Sequence, residues 1–331
     1  MYCSGFFYLT AKLSIMVSGI VIKSTGVWYD VRLEDGQILP CRIVGKFRIG
    51  KLKLTNPVAV GDEVFVNIIE EETKVGNIVK IAHRRNYVVR QSPRKKHLLH
   101  LLSANIDQAI LVVTIKDPSL KQGFIDRFLL MTEPQDIPVT IIVNKSDLLT
   151  EDDYQLFEYI KAVYENIGYP TLLTSAMDNK GIEEVRTLLK DKTTMVCGQS
   201  GVGKSTLVNA IDADIETRIG DISDYTGKGQ HTTTFAEMFP LNFGGQLVDT
   251  PGIKSLSFNN LEPMDVAHNF REFFILSADC KFSDCTHREE PKCAVKEALE
   301  EGSISEYRYR SYLNILNGIE DQNYWERHKD M

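Results

Sequence analysis

The residues in this chain best placed to do chemistry are Gly198-Gln199-Ser200-Gly201-Val202-Gly203-Lys204-Ser205, which fit G-x-x-x-x-G-K-[ST]. A loop of this kind turns successive backbone N–H groups inward and cradles phosphate oxygens. The start of a helix adds the positive end of its dipole. Gly198, Ser200, Gly201, Val202 and Gly203 supply the cradle, Lys204 reaches the β- and γ-phosphates, Ser205 ligates magnesium, and Thr206 continues the first helical turn. The motif requires a strand before it and a helix after it. Thr193 to Cys197 reads as a short buried strand and Thr206 to Ile211 as a helix start.

Four further clusters extend this chemistry. Asn144-Lys145-Ser146-Asp147 matches N-K-x-D. The Asp147 carboxylate can accept two hydrogen bonds from a guanine edge that adenine does not offer. An unpaired buried acceptor is costly enough to discriminate by roughly 10⁴-fold or more. Asn144 and Lys145 hold that loop and cover the base. Thr174-Ser175-Ala176 ends a predicted strand and resembles the S-A-x element that contacts the guanine oxygen, with Ser175 and Ala176 at the base. Asp249-Thr250-Pro251-Gly252 matches D-x-x-G, with Asp249 holding magnesium through water and Gly252 sensing the γ-phosphate. Gly227 to Thr234 contains Thr232, Thr233 and Thr234. One of them, with Thr233 the candidate, completes the magnesium shell. Finally, Cys280-x₄-Cys285-x-His287-x₅-Cys293 offers three thiolates and an imidazole, the ligand set of a closed structural zinc site rather than a catalytic one.

These motifs need elements to position them. The chain has 331 residues, enough for two or three domains, and its 43% hydrophobic content is that of a globular protein. A net charge of −7 excludes a protein basic over its whole surface but leaves room for a local basic face. No run of eighteen apolar residues predicts a membrane span. Residues 1–15 read as an upstream extension or start-site artefact. Residues 16–82 read as short strands punctuated by Asp35-Gly36 and Gly61-Asp62, the pattern of a small barrel, an OB-fold first among candidates. Arg42, Lys46, Arg48, Lys51 and Lys53 form an acid-free stretch there. Residues 83–106 read as an exposed basic linker carrying Arg84, Arg85, Arg90, Arg94, Lys95 and Lys96, so that the N-terminal half faces RNA.

Residues 107–258 alternate strands and helices. Gln108 to Ile115 and Ile137 to Val143 form continuous apolar runs typical of buried parallel strands. Helical spacing follows over 123–131, 152–167 and 182–189. Residues 259–331 read as small helices over 264–274, 294–300 and 304–316, with the cysteine cluster between the first two. The fold class expected is therefore a multidomain chain of N-terminal β-barrel, central α/β sheet and C-terminal helical zinc domain.

The order of motifs is the most specific feature. GTPases ordinarily run phosphate loop, switch threonine, D-x-x-G, N-K-x-D, S-A-x. Here N-K-x-D and S-A-x come first, a circular permutation of the same sheet. With the strand-rich N-terminus and the zinc cluster, the chain resembles the ribosome small subunit-dependent GTPase A family (RsgA, also called YjeQ) from about Met16 to the C-terminal helices. The resemblance implies a bacterial, cytoplasmic, monomeric GTP hydrolase with one structural zinc and magnesium with its nucleotide. It also implies that the chain binds the small ribosomal subunit and its rRNA late in assembly, and that the subunit stimulates slow hydrolysis. The alternative is a nucleotide-gated RNA-binding module in which GTP is mainly a structural ligand. After D-x-x-G stands Ile253, where Ras-like enzymes place a water-orienting glutamine. An isoleucine cannot orient water, and His231 is the candidate for that role. The other reading of His231 is a contact to RNA or phosphate.

Overall fold

The computed structural model describes residues 15–44, 54–68, 75–92, 98–121, 123–215, 236–250, 258 and 261–327. His231, Thr233, Gly252, Ile253, Lys46, Arg48, Lys51, Lys53, Arg94, Lys95 and Lys96 lie outside the described residues.

Strands β1 (Ile15–Ser24), β2 (Tyr29–Leu33), β3 (Ile38–Ile43), β4 (Glu63–Ile68) and β5 (Gly76–Ile81) pair in the order β1-β2-β3-β5-β4. Pairing of β4 back to β1, from Ile15 opposite Ile68 to Ile20 opposite Glu63, closes a five-stranded barrel. Alternating inward residues fill it, among them Val21, Val31, Cys41, Val64 and Ile78. The sequence reading missed β5, and its 1–15 extension takes in Ile15, which is paired within β1.

The expected exposed linker is a correction. Strands β6 (Tyr87–Gln91) and β7 (Leu99–Ala104) form an antiparallel two-stranded sheet. Arg84 is not a free cation either. Its Nε donates to Asp62 Oδ1 at 2.6 Å, and its Nη2 donates to Asp62 Oδ2 and Pro57 O, both at 2.6 Å. Asp62 is fully buried. A run without acids looked solvated because the partner carboxylate lies 22 residues away in the barrel.

The central sheet comprises β8 (Gln108–Val113), β9 (Val139–Val143), β10 (Thr171–Leu173), β11 (Thr193–Gly198), β12 (Ala236–Pro240) and β13 (Gln246–Asp249). It runs β10-β9-β8-β11-β13 in parallel, with β12 antiparallel at the end. The apolar runs are explained by burial on both faces. Leu111 and Val113 point into one core with α1 (Phe124–Thr132) and α2 (Glu151–Glu165). Ile110 and Val112 point into the other with α3 (Ile182–Leu189) and α4 (Lys204–Ile211). Thr150 caps α2 through a reciprocal box with Asp153. Strand β12 also pairs with β1, Lys23 opposite Glu237 and Ser24 opposite Ala236, so barrel and central sheet are one eleven-stranded sheet.

The C-terminal helices are α5 (Pro263–His268), α6 (Arg271–Ser277), α7 (Ala294–Glu300) and α8 (Glu306–Arg327). The single helix expected over 264–274 breaks at Phe270, whose extended backbone turns its ring into the core. These helices share a core with the central sheet domain. Phe270, Phe273 and Tyr312 pack edge-to-face or tilted, with ring centroids 4.7–5.2 Å apart, and continue the α1–α2 core.

A buried ionic cluster fastens them. Arg308 bonds Asp126 of α1 and donates to Glu272 of α6 at 2.7 and 3.0 Å, while the Tyr164 hydroxyl of α2 donates to Asp126 at 2.7 Å. Arg308 and Asp126 are at most 2% exposed. Removing one partner of such a cluster strands a buried charge and costs roughly 3–5 kcal/mol. Arg308→Ala should therefore lower unfolding free energy in urea by that amount; a loss below about 1 kcal/mol would show that the cluster does not fasten the C-terminal helices.

Candidate nucleotide site and metal centre

All the motif loops described lie at the C-terminal ends of the parallel strands, where open α/β sheets bind ligands. Gly198 ends β11, and α4 begins at Lys204. Two glycines are required by geometry. A Cβ at Gly198 would stand 2.4 Å from Val112 O, and one at Gly203 would stand 2.6 Å from Asn144 Nδ2, where φ is also +85°.

That close approach at Gly203 exists because Asn144 reaches across to the phosphate loop. Its Nδ2 donates to Val202 O at 3.0 Å, and its Oδ1 accepts from Thr174 Oγ1 at 3.0 Å. Asn144 is 1% exposed. Lys145 adopts φ +65° and donates from Nζ to Asp117 O at 2.7 Å. Asp147 is exposed, and its Oδ1 accepts from the buried Ser175 hydroxyl at 2.7 Å. The Ser175 hydroxyl in turn accepts from Asp178 N at 3.1 Å. Ala176 is half-buried beside them.

Lys204 folds back on its own loop, donating to Gly198 O at 3.0 Å and Gln199 O at 3.1 Å. Burial lowers the pKa of its ammonium, while the Asp249 carboxylate opposes that shift. Asp249 is held beside β11 by its pairing with Val196. Ser200, Gly201, Ser205 and Thr206 are exposed at the loop and first turn of α4. The structure thus brings Asn144 and Lys145 to the phosphate loop, with Asp147 and Ser175 bonded to each other on the adjoining strand ends and Asp249 on the strand beside β11.

Three contributors escaped the sequence reading. Thr174 orients Asn144, Asp117 receives Lys145 through its carbonyl, and Thr250 bridges Val196 O at 3.1 Å and Cys197 Sγ at 3.0 Å. Burial pushes the Cys197 thiol up to about 12. Thr174 and Thr250 carried a signal, their places in Thr174-Ser175-Ala176 and Asp249-Thr250-Pro251-Gly252, whereas Asp117 carried none.

In the C-terminal region Cys280, Cys285, His287 and Cys293 converge, their ligand atoms all within 4.8 Å of one another. Cys280 Sγ lies 4.0 Å from Cys293 Sγ, and His287 Nδ1 lies 3.7 and 3.4 Å from those two sulfurs. Zinc bond lengths of about 2.3 Å to sulfur and 2.0–2.1 Å to nitrogen give tetrahedral edges of about 3.5–3.8 Å. The donor set therefore fits such an ion, with Nδ1 as the imidazole ligand. Burial favours the neutral imidazole of His287, the ligating form. The same burial pushes Cys285 up to about 12 and also raises Cys293, so a bound cation is what would make these thiols thiolates. Around them, Tyr309 donates to His287 O and Tyr312 to Thr286 O, each at 2.7 Å. Burial works against ionised Glu290, but hydrogen bonds from Thr286 and Arg288 outweigh it and hold that carboxyl at about 2.

A family profile described as the RsgA GTPase matches residues 81–259, more than half of the 331. The chain belongs to the RsgA GTPase family. A second profile, the RsgA N-terminal domain, matches residues 18–78. The chain is 47% identical over 308 residues to the small ribosomal subunit biogenesis GTPase RsgA of Phocaeicola vulgatus, covering 93% of this chain and 99% of that one. It is 46% identical to the protein of the same name from Flavobacterium psychrophilum, covering 93% and 94%. Among solved structures, YjeQ from Thermotoga maritima superimposes with a TM-score of 0.72 at 37% identity, over 92% of this chain and 99% of that one. YloQ, described as a circularly permuted GTPase, does so with 0.69 at 32% identity, over 96% and 99%. The barrel and the permuted nucleotide-binding sheet expected from sequence are both present.

Two measurements test the site. Asp147→Asn should weaken GTP binding by roughly 10²- to 10⁴-fold and admit xanthine nucleotide, whose edge presents an acceptor in place of the guanine amine. Competition binding that ranks GTP above xanthine nucleotide in both proteins would count against Asp147 as the base reader. Elemental analysis of purified protein should find one zinc per chain, and chelation should lower the melting temperature; metal-free protein with an unchanged melting temperature excludes a structural ion.

Proposed function

We propose that this chain is a GTP hydrolase that serves as a late-stage assembly factor of the small ribosomal subunit, with the subunit stimulating its turnover. The observation that carries this reading is the docking of Asn144 and Lys145 on the phosphate loop, with Asp147 bonded to Ser175 at the neighbouring strand end, in a chain similar over its length to named small-subunit biogenesis GTPases. Gly198, Ser200, Gly201, Val202 and Gly203 cradle the phosphates with Lys204. Ser205, Thr206, Asp249 and Gly252 complete the γ-phosphate side. Ser205, Thr233 and, through water, Asp249 are the residues that would hold magnesium. Its chemistry is to neutralise charge on the β- and γ-oxygens.

Intact Lys204, Ser205 and Asp249 argue against a module that holds GTP only as structure. The remaining parts of the reading follow the family: a structural zinc on Cys280, Cys285, His287 and Cys293, a monomeric chain in the cytoplasm, and rRNA as the surface recognised. The division of labour is a barrel over 16–82, a basic segment over 83–106, a nucleotide domain over 107–258 and a zinc-binding helical region from 259. The RNA-facing set excludes Arg84, whose guanidinium is occupied by Asp62.

Ile253 leaves the attacking water without its usual orienting residue, and His231 is proposed to take that role in the subunit-bound complex. Positioning or general-base histidines contribute roughly 10²- to 10⁴-fold. GTP turnover should rise on addition of purified small subunits. His231→Ala should lose most of that rise while keeping GTP affinity and subunit binding. Equal stimulation of the alanine variant removes His231 from the mechanism, and no stimulation of the parent overturns the assembly reading itself.

A further inference from the structure

The turn that leaves β8 meets both the phosphate loop and the guanine-reading loop. Thr114 Oγ1 donates to Pro118 O at 2.7 Å, and Leu120 N donates to Ile115 O at 3.3 Å, so residues 114–120 form a closed turn before α1. Two of its residues touch the neighbouring loops. A Cβ at Gly201 would stand 3.6 Å from Pro118 Cδ, which is ordinary van der Waals contact. The Asp117 carbonyl accepts from Lys145 Nζ at 2.7 Å. Lys145 reaches it past the same phosphate loop, since a Cβ at Gly203 would stand 3.6 Å from Lys145 Cε. The turn and the lysine stem thus form a strap beside Gly201 and Gly203, closed by one charge-assisted hydrogen bond.

Both residues of that bond hold backbone conformations that side chains rarely adopt. Asp117 has φ +52° and Lys145 has φ +65°. Asp tolerates the left-handed region better than most residues, but a residue before proline is normally pushed to extended backbone. The bond uses the Asp117 carbonyl rather than its carboxylate, so the residue type enters through φ. Unusual backbone at two residues that face each other across a binding site points to a function for the contact between them. Lys204 offers a contrast. It donates to carbonyls of its own loop, Gly198 and Gln199, which it must leave to reach a phosphate. Asp117 O belongs to another segment, so Lys145 can keep that anchor while phosphate fills the loop. We infer that Asp117 is a positioning residue for the guanine nucleotide. Its carbonyl fixes the Lys145 stem across the phosphate loop before the nucleotide arrives, so the rotamer freedom of a long side chain is not lost again on binding. This role rests on the reading of residues 144–147 as the guanine loop.

The test titrates the full chain with GDP by calorimetry, for the parent, Asp117→Val, Asp117→Asn, Lys145→Met and the double variant Asp117→Val/Lys145→Met, with ADP as a second ligand for the parent. A β-branched residue fits positive φ poorly. Asp117→Val should therefore move the carbonyl and weaken GDP roughly two- to twelvefold, the cost of immobilising one long side chain. Asn tolerates that backbone, and Asp117→Asn should bind like the parent. Lys145→Met should lose at least as much as Asp117→Val. Adding Asp117→Val to it should cost nothing further, because the anchor then has no ammonium to hold. A turn that only supports the fold would lose the same factor in both backgrounds. Should Asp117→Val not fold, Asp117→Ala takes its place in the cycle. Parent-like affinity of the Val or Ala variant, or equal losses with and without the Lys145 ammonium, overturns the assignment. If the parent binds ADP as tightly as GDP, the guanine-loop reading itself fails, and the role of Asp117 falls with it.

Discussion

One buried amide holds the nucleotide site together. The Asn144 side chain joins Val202 of the phosphate loop to Thr174 of the strand-end that carries Ser175, while its own residue begins the guanine-reading loop. Three loops far apart in sequence are thus fixed by two hydrogen bonds around one side chain shielded from water. At that burial an unsatisfied amide would be expensive, so the three loops can take only the arrangement that satisfies it. The missing side chain at Gly203 is the complement of that contact, since any Cβ would displace the amide.

The permuted order of the motifs becomes intelligible from this joint. What the chemistry needs is the set of loops at one end of β8, β9, β11 and β13, not the order in which the chain visits them. Parallel pairing of β11 to both β8 and β13 brings the phosphate loop between the other two groups however the strands are connected. The new connectivity has mechanical consequences. Strand β12 continues the sheet into the barrel through β1, and the chain that leaves Asp249 proceeds to helices locked by Arg308 against α1 and α2. The nucleotide-binding sheet therefore has a covalent and hydrogen-bonded path to the barrel on one side and a buried ionic path to the metal region on the other.

Local chemistry was readable from the residues. The phosphate loop, N-K-x-D, D-x-x-G and the Cys–His cluster each declare a ligand through residue type and spacing over a few positions, and the strand-and-helix alternation around them follows from apolar periodicity. Helix α3 (Ile182–Leu189) and strand β10 (Thr171–Leu173) fall where the pattern puts them. Strands β5, β6, β7 and β12 were not legible, because short strands interrupted by polar residues have no periodicity strong enough to separate them from loop.

Charge was the poorest guide. Arg84 and Arg90 lie in one acid-free run and look alike in sequence, yet the first is bound to Asp62 and the second has no carboxylate partner among the described residues. The sequence by itself determined which ligands the chain can address, since the donor atoms are carried by contiguous motifs. Only the tertiary structure decided which cations are satisfied, which helices share a core and how three separate loops meet at Asn144, because each depends on partners brought close by the fold across tens to hundreds of residues.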